Sequence, residues 1–134
     1  MKDRFEIQKT QLSPEITLDR NEGIFRILGK SGIEDAHNFY QPILNWFEEY
    51  FRNPTTKTEI DLYLEYLNSA SSLQIGKLMH LFAENYDKTD LQVNWLFDLG
   101  DDLMEEVGKE FQYTYELKLE FKEIATADDD DFRF

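Results

Sequence analysis

The sequence predicts an α/β fold, α+β-like in its layering: a single mixed β-sheet of about five strands with helices mainly on one face. Three observations predict it. Short alternating segments are interleaved with segments of helical period along the chain. The strand-like segments alternate apolar with charged residues, where a sheet covered on both faces would show continuous apolar runs. The strand–helix–strand order in the middle makes its two strands parallel, joined by a right-handed crossover. The 134 residues fit one domain. Aromatics make up 15% of the chain, enough to build a sizeable core. Folding at this size buries about two-thirds of the unfolded surface.

The elements follow in order. Residues 1–13 are polar and read as a loose lead-in, with 1–12 the loosest part. Pro14 to Leu18 reads as a short strand, Asn21-Glu22-Gly23 as a turn, and Ile24 to Leu28 as the second arm of a hairpin. Gly29 and Gly32 bracket an expected flexible crossover. Asp35 to Arg52 carries Phe39, Ile43, Trp46, Phe47 and Tyr50 as one apolar stripe of a helix. Pro42 lies inside that span, so the regular helix is expected to begin near it, after a bent lead-in.

Thr58 to Leu67 is the clearest strand. Ile60, Leu62, Leu64 and Tyr66 face one way, and Glu59, Asp61 and Glu65 the other. Ser71 to Asn85 reads as a helix with Ile75, Leu78, Met79 and Phe82 inward. Leu91 to Phe97 is a strand with Leu91, Val93, Trp95 and Phe97 on one face. Asp101 to Phe111 is a helix, and Tyr115 to Phe121 a last strand with Leu117, Leu119 and Phe121 inward. One domain over residues 1–126 is expected, followed by an acidic tail at 127–134. Its run Asp128-Asp129-Asp130-Asp131 is expected to be disordered.

Composition removes several function classes. The net charge of −14 repels phosphate backbones and anionic lipid, so nucleic-acid and membrane-surface partners are not expected. Such a charge favours a partner with a basic surface, and it also serves plain solubility. Without cysteine there is no disulfide, no thiolate catalysis and no Cys-based zinc site. The first residues, MKDRFEIQKTQ, lack an apolar signal region, and no run approaches the ~18 apolar residues of a membrane span. A cytoplasmic protein is the expectation.

Catalytic patterns are absent from the sequence. His37 and His80 stand alone and read as surface or boundary residues. No HExxH, GxSxG or GxxxxGK[ST] pattern occurs. Asp98, Asp101 and Asp102 could approach a divalent cation. The simpler reading places Asp101 and Asp102 in a first helical turn, where each carboxylate stabilises the helix dipole by ~0.3–1 kcal/mol. No cofactor and no metal are expected.

The most informative stretch is Leu62-Tyr63-Leu64-Glu65-Tyr66-Leu67-Asn68-Ser69-Ala70-Ser71-Ser72. A buried strand runs there into small hydroxyl residues that open a helix. Ser71 followed by Gln74 fits a capping box. With Ser71 as the cap, Ser69 lies outside the helix with its hydroxyl free. A phosphate on it would add roughly −1.5 to −2 charges beside free backbone N–H groups, a locally tolerant place.

These residues resemble a known family. YLNSASS resembles the Y-[FL]-N-T-S-S motif of the SiaC family of bacterial regulatory phosphoproteins. FYQPILNWFEEYF resembles that family's first long helix, and VNWLFDLGDDLMEEVGKEF its V-x-W-x-[YF]-D…D-D-x-x-[ML]-x-E-x-G-x-[ED] segment. SPEI and GIFRILGKS fit as well, so the resemblance covers roughly residues 12–122. It departs at Ala70, where the family has Ser, at Leu73, and at SGIEDA, where the family usually has SYPEN.

The resemblance implies a STAS-like domain, akin to anti-sigma-factor antagonists, that works by partner switching. A cognate Ser/Thr protein kinase would add a phosphate and a metal-dependent Ser/Thr protein phosphatase would remove it. The unphosphorylated form would bind and activate a diguanylate cyclase or other effector, raising cyclic di-GMP and promoting biofilm or aggregation. By position the phosphoacceptor is Ser69, Asn68 shapes the turn, and Ser71 and Ser72 cap the helix. The competing expectations are a constitutive protein-binding module, with Ser69 only a turn residue, and a small metal-dependent enzyme built on Asp98, Asp101 and Asp102.

Overall fold

A computed structural model describes residues 2–125. The order is β1 (Arg4–Ile7), β2 (Glu15–Asp19), β3 (Ile24–Ser31), α1 (Ala36–Tyr50), β4 (Lys57–Leu67), α2 (Ser69–Glu84), β5 (Asp90–Asp98), α3 (Asp102–Tyr115) and β6 (Leu119–Ile124). The strands lie in one sheet in sequence order. β1–β2–β3 is an antiparallel meander, and β3 to β6 run parallel. The mixed sheet is as expected, with six strands where the sequence predicts about five.

The strand order explains the layering. Each helix carries the chain one strand further in the same direction, and right-handed crossovers that all move one way place their helices on one face. α1 packs on α2, and α2 on α3. Between helices and sheet lie Ile16, Leu18, Phe25, Ile27, Ile60, Leu62 and Trp95, all essentially inaccessible. The α1 stripe delivers Trp46, Phe47 and Tyr50 onto Phe25, with ring centroids 5.0–6.3 Å apart. Burying each such ring contributes about 1.5–3 kcal/mol.

The opposite face is polar without being wholly wet. Arg26, Asp61, Asn94 and Glu120 are aligned in register across β3 to β6. The Asn94 amide is fully buried and donates to Glu59 Oε2 and to Asp61 Oδ1, each at 2.7 Å. Burial pushes the Asp61 carboxyl above the usual range, against the opposing hydrogen bond from Asn94. Tyr63 and Leu96 are also buried on this side.

Four expectations need correction. Residues 4–7 are not loose. They form β1, which pairs with β2 and is pinned where Arg4 Nη1 meets Asp19 Oδ2 at 2.5 Å. The segment from Gly29 is not a flexible crossover. β3 continues to Ser31 through a register shift after Gly29, whose φ of +127° only glycine adopts readily. The α1 helix does not wait for Pro42. It starts at Ala36, capped by Asp35, and runs through the proline. Pro42 and Asn38, whose carbonyl loses its partner there, both lie on the exposed side, so water can serve the orphaned carbonyl.

The last strand begins at Leu119 rather than Tyr115. α3 runs past Phe111 to Tyr115, and Glu116 stops it in a left-handed conformation with φ 51°. The inward phase holds, since Leu117 and Leu119 are buried. The aspartate run 128–131 lies outside the described residues.

Candidate functional site

In the parallel part of the sheet, the strands end on one edge, where α1, α2 and α3 begin. At this edge β4 turns into α2 with Asn68 between them. Asn68, not Ser71, is the N-cap: its Oδ1 accepts from Ser71 N at 2.8 Å. Its carbonyl accepts the first helical bond, from Ser72 N at 2.9 Å. The rest of Asn68 is tied to the end of β3 and the loop after it. Its backbone N–H donates to Ser31 O at 3.0 Å and its Nδ2 to Ile33 O at 3.0 Å. The cap sits three residues earlier than the capping box suggests because Asn68 satisfies β3 and the helix at once.

Ser71 therefore has another job. Its side chain is fully buried, and its Oγ accepts from Ser31 Oγ at 2.7 Å. Ser31 Oγ is also 2.8 Å from Tyr40 Oη. Ser31 spends its one proton on Ser71, so Tyr40 donates to Ser31. The chain Tyr40→Ser31→Ser71 locks α1, β3 and α2 together under the junction. Burial pushes the Tyr40 phenol up to about 12, with the Ser31 bond opposing. Neither Ser31 nor Tyr40 carries a local sequence signal for this role, since Ser31 and Ser71 are 40 positions apart.

Ser69 is the first residue of α2 and is exposed. In a first turn the leading N–H groups have no intrahelical acceptor. Ser71 N is claimed by Asn68, while Ser69 and Ala70 lie on the open side. Ser69 is thus inside the helix and not before it, and Ser72 is no cap either: it is half-buried and its N–H makes the first helical bond.

Ser69 and Ser72 line a groove of about 550 Å³ between α2 and α3, whose apolar walls include Leu67, Leu73, Val107 and Phe111. Glu110 is the charged group of that lining. A second groove of about 420 Å³ continues over α1 and α2 and shares Leu73 and Tyr115 with the first. Tyr115 lies across the pair, packed so closely on α2 that a Cβ at Gly76 would meet its hydroxyl at 2.5 Å.

The remaining candidates are accounted for structurally. Asp101 caps α3, accepting from Met104 N at 3.1 Å, and Asp98 accepts from Tyr63 Oη at 2.6 Å. Among the described residues no group of three or more His, Cys, Asp or Glu could hold a metal ion. His37 is exposed, and His80 Nε2 lies 3.3 Å from Glu84 Oε1 on the surface. No helix among the described residues is long and apolar enough to cross a membrane.

Comparison with known proteins agrees with the fold. An uncharacterised protein of Pseudomonas aeruginosa strain UCBPP-PA14 is 25% identical over 107 residues, covering 79% of this chain and 85% of the relative. SiaC of Pseudomonas aeruginosa shares the fold, with a TM-score of 0.80 and 23% identity over 93% of this chain and 100% of that one. The structure of the diguanylate cyclase SiaD of Pseudomonas aeruginosa in complex with its activator SiaC also matches. Its TM-score is 0.80 at 23% identity, covering 91% of this chain and 99% of the matched one. The family model for SiaC family regulatory phosphoproteins matches residues 7–124, nearly the whole described chain. The chain therefore belongs to the SiaC family of regulatory phosphoproteins.

Proposed function

We propose that this protein is a non-catalytic partner switch controlled by reversible phosphorylation of Ser69. The observation that carries the proposal is the division of labour at the junction. Asn68 caps the helix, Ser71 is buried in a hydroxyl chain, and Ser69 alone of the first turn's serines stands exposed at the groove mouth. A kinase needs a hydroxyl it can reach, and Ser71 offers none.

The chemistry is simple. A Ser/Thr kinase moves the terminal phosphoryl group of ATP to Ser69 Oγ, whose proton leaves to a base of the kinase, and ADP departs. A metal-dependent phosphatase returns the serine and inorganic phosphate by adding water. The first turn of α2 tolerates the dianion. A partner's apolar surface does not, because the phosphate must be stripped of water inside the contact. The groove lining contains no Lys or Arg to neutralise it, and Glu110 is already there.

The unphosphorylated form is then the binding form. Its effector is a diguanylate cyclase, by analogy with the complex in which SiaC is the activator of SiaD. The output is a rise in cyclic di-GMP and with it biofilm formation or aggregation. A cytoplasmic location suits a kinase, a phosphatase and a cyclase that use nucleotides.

The test is co-purification from the native organism with wild type, Ser69→Ala and Ser69→Asp. Wild type and Ser69→Ala are expected to hold a diguanylate cyclase, and Ser69→Asp to lose it. Equal retention by all three would favour a constitutive binding module and remove the switch.

A further inference from the structure

We infer that the partner-binding surface extends along the whole helix-opening edge of the sheet, from Leu12 to Leu103, and is not confined to the groove beside Ser69. This inference rests on the partner-switch reading. Seven large apolar side chains are exposed among the described residues. Five of them, Leu12, Tyr66, Leu73, Leu99 and Leu103, are 52–78% exposed and sit at this edge or in the turns that open from it.

They form two flanks around the junction. On one side, Gly32 N donates to Leu12 O at 2.8 Å, and the side chains of Leu12 and Tyr66 both lie against Gly32. Asn68 ties this flank to α2. On the other side, Leu99 closes β5, and Leu103 lies one turn before Val107, which walls the groove. Leu73 fills the space between them, one turn beyond Ser69. The other two exposed residues, Tyr86 and Tyr113, are tyrosines away from this edge.

Scattered single apolar residues are ordinary on a protein surface, but a gathering of leucines at one edge marks an interaction site. The occupant must match the charge as well. The loops and helix starts of this edge carry Glu34, Asp35, Asp101 and Asp102, while Lys9 of the β1–β2 connection is paired with Glu65, on a chain of net charge −14. The partner is therefore a protein surface with an apolar centre and a rim of Lys and Arg, which we assign to the cyclase effector. Ser69 lies on this face between the two flanks. A phosphate there is desolvated against the apolar groove wall and Glu110, so a single modification disrupts a wide contact.

The test places a photo-crosslinking benzophenone amino acid singly at Leu12, Tyr66, Leu99 and Leu103 in the native organism, with Tyr86 and Tyr113 as controls. A diguanylate cyclase adduct from all four edge positions and from neither control is expected. The exposed double variant Leu99→Ala/Leu103→Ala should cut co-purified cyclase about tenfold without unfolding the chain. Adducts with a second copy of this chain, adducts with a different class of protein, no adducts at Leu12 or Leu103, or undiminished capture by the double variant would each overturn the inference. Repeating the crosslinks with Ser69→Asp separates the two readings. Persistent edge adducts would sink the switch and leave the surface standing.

Discussion

Ser31 Oγ donates to Ser71 Oγ at 2.7 Å, deep beneath a surface on which Ser69 is exposed. One side chain of β3 thereby fixes the orientation of the first turn of α2. Removing it leaves two buried hydroxyls, of Ser71 and Tyr40, without their partner. Ser31→Ala is expected to cost about 1–3 kcal/mol, read by chemical denaturation. The amides of the first turn of α2 should lose exchange protection more than those of β5.

Asn68 and Ser69 should separate cleanly in stability. Asn68→Ala removes the bond to Ser71 N and the one to Ile33 O, and is expected to cost about 2 kcal/mol. Ser69→Ala touches nothing buried and should fall within about 0.5 kcal/mol of wild type. Urea midpoints of the two variants check this. Comparable losses would mean that Ser69 is structural.

Two glycines mark close approaches between elements. A Cβ at Gly108 would meet the Trp95 ring at 2.5 Å and Phe121 at 2.8 Å, and Trp95 is held by its bond to Met104 O. Gly108→Ala should therefore lose about 1–3 kcal/mol, although alanine is the better helix former. Gly76→Ala meets only the end of Tyr115, which can swing into the groove. It should cost less, and most of the loss should vanish in a Tyr115→Ala background. Thermal melts of the three variants decide it.

The polar face gives a pH dependence of definite sign. The Asp61 carboxyl is held above the usual carboxylate range by burial. The native state thus keeps a proton there in a pH window where the unfolded chain has released it. Stability from this site is therefore present at low pH and falls as pH rises through the folded-state value. Asp61→Asn removes that penalty and keeps an acceptor for Asn94. The variant should melt higher than wild type at pH 7, and the difference should shrink as pH falls through the folded-state value. A variant less stable at pH 7 would show that the Arg26 pair outweighs desolvation.

Much of this fold is legible in the sequence because most elements bury a regular stripe. Phe39 to Tyr50, Ile60 to Leu64, Leu91 to Phe97 and Leu117 to Phe121 have the right periods, and the structure buries most of each stripe as their phase requires. The features that the sequence does not show depend on partners distant in sequence or on conformations without a composition signal. β1 is four residues long and is held by β2 and the Arg4–Asp19 contact. The end of α3 is set by a left-handed Glu116 where a glycine would have been the visible marker.

The junction was legible as a place and not in its detail. Its family motif singles out Ser69. Ser-x-x-Gln is a local pattern and points to Ser71 as the cap, whereas Ser71's actual side-chain partner is Ser31 on β3. Leu12, Leu99 and Leu103 show nothing unusual in sequence. Only the fold brings them to one edge.

The most direct measurement of the central claim is where phosphate sits on the protein recovered from its native organism. Intact mass followed by peptide fragmentation should find a single phosphoryl group on Ser69, none on Ser71 or Ser72, and none at all in Ser69→Ala. Phosphate on Ser72, phosphate persisting in Ser69→Ala, or protein that never carries phosphate under any growth condition would contradict the account.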